Sequence, residues 1–368
     1  MRDTGLSLNG YWKGFELIKD AVLNGGPSFI NFALTNACNA RCGFCSFPDV
    51  APQDRVFVDA ERAKGALDIL YNRGVRYITF VGGEPLLHPG FFDIIGHSAK
   101  KGIVSMMSTN GVYLTPENVR AMKAAGLSTI FISIDAPSAE EHERNRGLPG
   151  VCRTIKNALP LIKELKMNPI ASVTVSKVIK DYFKLPSFLR ELGFDKLTFS
   201  LPITTYSDSY AGSNPAEFID YTAEEIIQVF KDIKALKSQF RIVNPTASLD
   251  DMIRFFSGEG ARFMCLGGYK SFYVDWLLDV YPCQTLNQKM GSIHEFTSVP
   301  SRRLNCNKCI NECYREPSLM QYVAISVSDA VSAFGHGRVR EGFGRLWDRN
   351  NLISLWASIE EWKDAGRI

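Results

Sequence analysis

The stretch "FINFALTNACNARCGFC" (residues 29–45) joins an apolar run directly to a loop that holds three cysteines. Residues 29–35 are mostly aromatic and aliphatic, as expected of a buried strand. Cys38, Cys42 and Cys45 follow within ten residues of its end. Closely spaced thiols of this kind are more often metal ligands or catalytic groups than core residues, so the sequence predicts a metal or cluster site at the end of this strand.

Similar strand-like runs recur along the next 170 or so residues, and segments of helical period separate them. The helix candidates include 60–74, 90–102 and 152–166. The other strand candidates are 77–83, 103–109, 129–135, 171–176 and 196–202. This alternation predicts an α/β fold of six βα units with a parallel sheet. Right-handed crossovers would wind the units into an open or partly closed barrel with the helices outside.

Polar motifs follow the predicted strands. "GGEP" (82–85) ends the second strand, "STNG" (108–111) ends the third, and "SIDAP" (133–137) ends the fourth. Ligand sites of parallel α/β proteins lie at the carboxyl ends of the strands. We therefore expect these motifs and the cysteine loop to form one site.

Composition and charge exclude several classes of function. A chain of 368 residues with 45% hydrophobic content can form a large core, and a net charge of +3 without a Lys/Arg block predicts no nucleic-acid partner. No apolar stretch approaches the roughly 18 residues of a membrane span, and no signal-peptide order is present. We therefore expect a cytoplasmic protein without a transmembrane segment, in which nine cysteines stay reduced.

Three thiolates spaced C-x3-C-x2-C can ligate three irons of a 4Fe-4S cluster and leave the fourth iron open to a substrate or cofactor. A zinc site would normally need a fourth ligand, such as a histidine. The nearest histidine is His88, more than forty residues after Cys45. The spacing therefore favours an iron–sulfur cluster over zinc.

"CNARCGFC" and "GGEP" resemble the two leading motifs of the radical S-adenosylmethionine (SAM) superfamily, and the resemblance extends over about residues 28–203. It implies a partial TIM-type (β/α)6 barrel, a 4Fe-4S cluster held by Cys38, Cys42 and Cys45, and SAM bound at the open iron. It also implies reductive cleavage of SAM to a 5′-deoxyadenosyl radical that abstracts hydrogen from a substrate carbon. An electron donor such as flavodoxin or ferredoxin is implied as well.

The same resemblance implies a set of SAM-contacting residues. Phe44 would lie against adenine, Arg146 would meet the SAM carboxylate, and the "GGEP" residues would face the SAM amino group. Asp135 and Ser133 would face either SAM or substrate. The full set is Phe44, Gly82, Gly83, Glu84, Ser108, Asn110, Ser133, Asp135 and Arg146, with Ser108 and Asn110 at the ribose.

A second group of thiols lies near the other end of the chain, at Cys265, Cys283, Cys306, Cys309 and Cys313. Their spacing suits a zinc ribbon as well as a cluster. The group is similar to the twitch and SPASM extensions of radical SAM enzymes, although Leu278 replaces the glycine usual five residues before the second cysteine. Five thiols are too few for two cysteine-ligated clusters. We therefore expect one auxiliary 4Fe-4S cluster, held by Cys265, Cys283 and two or three of the others.

These patterns predict a division of the chain into five segments. They are an N-terminal extension (1–27), the radical SAM core (28–215), a helical linker (216–264), a small C-terminal cysteine-rich auxiliary domain (265–317) and terminal helices (318–368). Because 27 residues are too few for a peptide-recognition domain, we expect a small-molecule substrate that undergoes oxidation, epimerisation or C–C bond formation.

Three alternatives to this function stay open. The first is radical addition to a lipid, because "CNKCINECY" (306–314) and the following "EPS" are similar to the C-terminal extension of adenosylhopane synthase-type proteins. The others are modification of a ribosomal peptide and a non-catalytic iron–sulfur sensor. For the substrate wall, position favours residues 204–210 together with Tyr273, Asp275 and Trp276.

Overall fold

The six predicted strands form one continuous parallel sheet, in chain order. The computed structural model describes residues 19–201, 218–298 and 301–365. The six strands are β1 (Ser28–Ala33), β2 (Val75–Val81), β3 (Val104–Thr109), β4 (Thr129–Ser133), β5 (Asn168–Thr174) and β6 (Lys196–Ser200). Each pairs in parallel with the next. The prediction of six βα units is confirmed.

The sheet continues beyond the six units at both ends. β7 (Arg241–Ile242) pairs in parallel with β6, and β8 (Ser271–Val274) pairs in parallel with β1. β9 (Asp279–Tyr281) and β10 (Gly291–Ser292) then add antiparallel strands. The strands β8 and β9 form a hairpin just before Cys283, and this hairpin belongs to the same sheet as the barrel. Within the part of the chain that the structure describes, the sheet does not close on itself, in agreement with a partial TIM-type barrel.

Helices cover the outer face of the sheet. They are α1 (Ala60–Asn72), α2 (Phe91–Lys101), α3 (Pro116–Ala124), α4 (Ala139–Arg146), α5 (Val151–Glu164), α6 (Leu185–Leu192), α7 (Ala223–Leu236) and α8 (Thr246–Arg254). Alternate strand residues such as Ile30, Phe32 and Phe80 are fully buried in the core. Burial of this apolar face holds the helices on the sheet. Cys152, in α5, is part of the same core.

A long helix, α9 (Glu312–Gly335), closes the gap between the two ends of the parallel strands. At one side, the amide of Leu201 donates to Glu312 Oε2 at 2.8 Å. At the other side, the amide of Leu266 donates to Ser318 Oγ at 2.9 Å. The predicted boundary between segments 265–317 and 318–368 falls inside this helix, and the division of the chain into domains remains a prediction.

Two further helices follow α9, namely α10 (Val339–Leu346) and α11 (Arg349–Ala365). α11 packs beside α8, where the carboxylate of Glu360 accepts hydrogen bonds from the hydroxyl and amide of Thr246. Within the described residues, no helix combines the length and the apolar character needed to cross a bilayer.

Candidate active site

The cysteine loop begins where β1 ends, and two polar side chains fix its direction. Thr35 donates its hydroxyl hydrogen to Val56 O at 2.7 Å and accepts one from the amide of Ala37 at 3.0 Å. Asn36 donates to Asp54 O at 3.0 Å and accepts from the amide of Val56 at 2.7 Å. The loop is therefore anchored before the chain reaches its first cysteine.

The three loop thiols lie within electrostatic reach of one another. Burial raises the pKa of Cys42 to about 12 and that of Cys45 to about 11. The neighbouring Cys38 also raises the pKa of both thiols, whereas the buried guanidinium of Arg146 lowers it. Arg146 thus offsets part of the effect of burial and favours the thiolate, the form that ligates a metal.

The two glycines of "GGEP" allow the end of β2 to touch the start of the cysteine loop. A Cβ atom on Gly82 would lie 2.3 Å from Thr35 O, and one on Gly83 would lie 1.9 Å from Ala37 O. The amides of Gly83 and Glu84 donate across this contact to Thr35 O and Ala37 O at 2.9 and 2.8 Å. Only residues without a Cβ permit this close approach of two main chains.

The side chain of Glu84 joins the "GGEP" loop to the "STNG" turn. It is 1% exposed. Its Oε1 accepts from the hydroxyl of Thr109 at 2.8 Å and the amide of Leu86 at 3.2 Å, and its Oε2 accepts from the amide of Asn110 at 2.8 Å. Burial raises the pKa of this carboxyl. Both oxygens are thus occupied by protein donors, and the contact to a SAM amino group that the resemblance implies remains a prediction.

The two residues of the "STNG" turn that were predicted to contact SAM have different surroundings. Ser108 lines the cavity inside the barrel, which we call the lumen. Asn110 is buried instead, where it donates to Asn39 Oδ1 at 2.7 Å and accepts from the amide of Val112 at 3.0 Å. Asn110 therefore ties the end of β3 to the cysteine loop. Ser133, at the end of β4, is partly exposed.

Asp135 and Arg146 form a buried ion pair next to the cysteine loop. Arg146 Nη2 donates to Asp135 Oδ1 at 2.7 Å, and the amide of Arg41 donates to Arg146 O at the same distance. Burial acts to raise the pKa of Asp135, but Arg146 outweighs it and the pKa lies below its ordinary value. The Nε atom of Arg146 has no hydrogen-bond partner. It is an unused donor held beside the three thiols.

Two residues that the sequence analysis did not single out complete this ion pair. Asn145 donates to the other carboxylate oxygen of Asp135 at 2.9 Å. The Nδ1 atom of His142 accepts from the amide of Asp135 at 3.0 Å, which leaves His142 Nε2 buried without a partner. Burial lowers the pKa of His142 to about 4. The only sequence signal was the composition of "EEHERNR" (140–146), a polar helix directly after the fourth strand.

The lumen is a cavity of about 880 Å³ that extends along the strands from the cysteine loop to the opposite end of the barrel. Phe44 and Cys45 line it at the loop end, whereas Thr129 and Ser271 line it where their strands begin. Alternate residues of each strand face it, and many of them are serine or threonine. Such a cavity has the size of a typical small-molecule site.

Helix α9 supplies the remaining wall of the lumen. Glu312, Cys313, Glu316 and Met320 all face the cavity from this helix. Cys313 has an accessible surface inside it, and its thiol donates to Glu312 Oε1 at 3.3 Å. Periodicity alone predicts only that the C-terminal segment is helical, and it does not reveal that α9 belongs to the barrel.

Residues 32–181 match the family model of the Radical SAM superfamily. The match contains the three loop cysteines, "GGEP" and Arg146. This segment is a radical SAM domain. Domains of this superfamily use a 4Fe-4S cluster and SAM, and these are the cofactors of this chain.

Curated relatives extend the similarity beyond the radical SAM domain. The AdoMet-dependent heme synthase of Methanosarcina barkeri is 28% identical over 289 residues, which are 74% of this chain and 81% of that protein. The mycofactocin maturase MftC of Mycobacterium tuberculosis is 26% identical over 206 residues, which are 55% of this chain and 51% of that protein.

Solved structures share the fold. SuiB of Streptococcus suis bound to S-adenosylmethionine has a TM-score of 0.56 at 14% identity, covering 85% of this chain and 72% of that chain. Native anSMEcpe with bound AdoMet has a TM-score of 0.55 at 16% identity, covering 89% of this chain and 99% of that chain. Both likenesses include the part of this chain beyond the radical SAM domain.

The residues of the radical SAM domain fit its two cofactors. The loop offers three thiols beside a buried cation, and the close contact at Gly82 and Gly83 brings main-chain atoms to that loop. The unpartnered Nε atom of Arg146 suits an anionic group such as the carboxylate of SAM. The roles of individual residues remain predictions.

Four of the five C-terminal cysteines enclose a second, much smaller cavity, which we call the auxiliary pocket. Arg315 of α9 organises it by donating to Cys309 O at 2.9 and 2.7 Å and to Cys306 O at 3.2 Å. No three His, Cys, Asp or Glu side chains in the described residues stand close enough to hold a single metal ion. The four cysteines are Cys265, Cys283, Cys306 and Cys309.

Cys313 and Leu278, which the sequence analysis discussed together with these cysteines, both lie outside the auxiliary pocket. Cys313 faces the lumen instead of the pocket. Leu278 is buried in the β8–β9 turn with a φ of 65°, a left-handed conformation that favours glycine. Tyr314, which lines both cavities, separates the auxiliary pocket from the lumen.

The residues predicted for the substrate wall have different surroundings, and their role remains a prediction. Tyr273 lines the lumen. Asp275 instead accepts from the amides of Leu277 and Asp279 at 2.9 and 2.8 Å, so its carboxylate stabilises the hairpin turn. Trp276 packs edge-on against Phe47, at 5.9 Å between ring centroids. Residues 204–210 lie outside the described residues.

Proposed function

We propose that the protein is a radical SAM enzyme that cleaves SAM reductively at the cysteine loop and abstracts a hydrogen atom from a carbon of a substrate held in the lumen. The observation that carries this proposal is that the cysteine loop and the interior of the barrel share one cavity. Phe44 and Cys45 of the loop line the same cavity of about 880 Å³ that runs through the barrel. Chemistry that begins at the loop would therefore take place inside the barrel, where a bound substrate displaces water from the cavity.

In this proposal Cys38, Cys42 and Cys45 hold the cluster, and Phe44 offers its ring to adenine. The cluster and SAM, when bound, supply reductive cleavage of the sulfonium C–S bond. The protein supplies position and electrostatics. The ion pair with Asp135 holds the guanidinium of Arg146 in place, so that its free Nε–H is available to the SAM carboxylate.

We further propose that Cys265, Cys283, Cys306 and Cys309 hold one auxiliary 4Fe-4S cluster. Their common cavity supports this assignment, and the position of Cys313 in the lumen argues against a fifth ligand. An auxiliary cluster would accept an electron from the substrate and complete a net oxidation. A flavodoxin or ferredoxin would supply electrons to the loop cluster.

A small molecule is the substrate class that the volume of the lumen favours. A peptide side chain is the second candidate. It is favoured by the similarity to MftC, which is named a maturase, and by the fold shared with SuiB, which was solved bound to its precursor peptide SuiA. Oxidation, epimerisation and C–C bond formation are the reactions considered for either substrate.

Anaerobic reconstitution with iron and sulfide, followed by addition of dithionite and SAM, tests the proposed function. We expect 5′-deoxyadenosine and methionine to form, as detected by liquid chromatography and mass spectrometry. Cys45→Ala should abolish both products, whereas Cys152→Ala, in the core away from the loop, should retain them. Iron binding without any 5′-deoxyadenosine would instead favour the sensor alternative.

A further inference from the structure

The wall of the lumen carries acidic side chains and no basic ones among the described residues. Three carboxyl groups face the cavity, and the lining residues that the structure describes include no lysine, arginine or histidine. Enclosed carboxylates without a cation are costly, because burial removes the water that would solvate them. The carboxyl groups belong to Glu312, Glu316 and Glu361.

The three carboxyl groups differ in how far the protein satisfies them. Glu312 accepts from the amide of Leu201 and from the thiol of Cys313, so both of its oxygens are engaged. Glu316 accepts two hydrogen bonds at Oε1 only, from Asn244 and Ser248. Glu361 has no hydrogen bond or ion pair to any described residue. The two carboxyl groups with free oxygens influence each other electrostatically, so they face the same region.

Two buried hydroxyl groups in the same cavity also have no partner. Ser271 is 1% exposed and Thr129 is 0% exposed. The hydroxyl oxygen of each makes no hydrogen bond, and both residues line the lumen. Buried hydroxyl groups are nearly always hydrogen-bonded in folded proteins, so an unpartnered pair at one cavity indicates that a ligand completes them.

We propose that the lumen binds its substrate through a cationic nitrogen group, an ammonium or a guanidinium, held by Glu316 and Glu361, while the hydroxyl groups of Ser271 and Thr129 bond further polar atoms of the same molecule. The inference rests on the proposed function only in naming that molecule the substrate. A cation between the two carboxyl groups would favour their ionised forms and be held by charge-assisted hydrogen bonds.

The surroundings of the acidic pair suit an amine with an apolar body. Phe29 and Tyr77 stack at 4.8 Å between ring centroids, and both line the lumen. Burial and, to a smaller extent, Glu361 raise the pKa of Tyr77, so the carboxyl group of Glu361 lies near these rings. Burial raises the pKa of Glu316 to about 8 and that of Glu361 to about 7, and a bound cation would favour their ionised forms.

Isothermal titration calorimetry on the reconstituted protein with SAM tests the inference, using three probes of similar size that differ in charge. They are phenethylamine, 3-phenylpropanol and 3-phenylpropionate. We expect phenethylamine to bind about tenfold more tightly than the alcohol, as befits charge-assisted bonds in an enclosed site. Glu361→Gln and Glu316→Gln should each lower the affinity for the amine several-fold without changing that for the alcohol.

A matched control is Glu164→Gln, which removes an exposed carboxyl group at the end of α5 and should change nothing. Circular dichroism and iron content establish that each variant is folded and loaded. Equal affinities for amine and alcohol, tighter binding of phenylpropionate than of the amine, or no binding of phenethylamine at millimolar concentration would overturn the inference.

The outcome separates this inference from the proposed function, because 5′-deoxyadenosine formation is measured on the same preparation. If 5′-deoxyadenosine forms while amine and alcohol bind equally, the cation site is wrong and the proposed function stands. If the amine binds in a manner that depends on Glu361 while no 5′-deoxyadenosine forms, the cation site stands and the proposed function is wrong.

Discussion

Arg146 Nη2 lies 2.7 Å from Asp135 Oδ1, and both side chains are buried beside the cysteine loop. Asp135→Asn would keep the shape of the side chain but leave a buried guanidinium without its counter-charge. We expect the free energy of unfolding to fall by roughly 3 kcal/mol, at the lower end of the effects seen when one partner of a buried ion pair is removed. Urea denaturation under anaerobic conditions measures this change.

Arg144 provides the control for that variant, because it pairs with Glu140 on the same helix at 3.3 Å with both side chains exposed. Arg144→Gln should change the free energy of unfolding by less than about 0.5 kcal/mol. Similar losses in the two variants would contradict the structural role assigned to the buried pair.

A substitution at Gly83 tests the close contact between β2 and the cysteine loop. The added Cβ of Gly83→Ala would lie 1.9 Å from Ala37 O, so one of the two main chains must move. We expect a loss of at least about 3 kcal/mol in unfolding free energy, together with loss of iron from the loop. Gly96→Ala, in α2 with nothing within 4 Å of the new Cβ, should instead stabilise the protein by roughly 0.5–1 kcal/mol.

The separation of Cys313 from the auxiliary pocket gives a test by metal content. In a chain whose three loop cysteines are alanine, we expect about four irons to remain, the content of one cluster. Cys309→Ser in that background should remove them, and Cys313→Ser should not, because Cys309 lines the pocket and Cys313 does not. Equal loss in both variants would restore Cys313 as a ligand, and zinc in place of iron would identify a structural zinc site.

Glu316 gives the protein a dependence of stability on pH. Burial raises the pKa of this carboxyl group from 4.5 to about 8, so the folded state holds its proton more tightly than the unfolded state. The contribution of such a group to unfolding free energy falls as pH rises from 4.5 to 8, since the unfolded chain ionises first.

Glu316→Gln keeps an oxygen acceptor for Asn244 and Ser248 but cannot ionise. The variant should match the wild type at pH 4 and exceed its unfolding free energy by about 1 kcal/mol at pH 9, a value discounted because the carboxyl group faces a cavity large enough for water. Thermal unfolding across this pH range measures the difference. A constant difference at every pH would mean that the carboxyl group titrates normally.

The six βα units and the cysteine loop could be predicted from sequence, because both depend on local patterns. Strand and helix periods are set by neighbouring residues, and Cys38, Cys42 and Cys45 belong to one loop. The bracing role of Glu84 could not be predicted, because its three donors come from two different loops that only the fold brings together.

The sequence analysis did not predict the lumen, although the sequence holds part of the pattern that indicates it. Ser172 and Thr174 alternate with apolar residues in β5, as do Thr198 and Ser200 in β6, and all four line the cavity. Alternating hydroxyl groups on strands that are covered by helices on their outer side indicate a polar interior. Four of the five C-terminal cysteines line the auxiliary pocket, whereas Cys313 lines the lumen. This difference depends on tertiary contacts, which the local sequence pattern does not reveal.

The hydrogen bond from Leu201 to Glu312 joins residues 111 positions apart, and it marks where α9 completes the barrel wall. During synthesis on the ribosome, the cysteine loop and all six parallel strands therefore emerge well before the helix that encloses the chamber. Until α9 has emerged, the barrel lacks the wall to which Glu312, Cys313 and Glu316 belong.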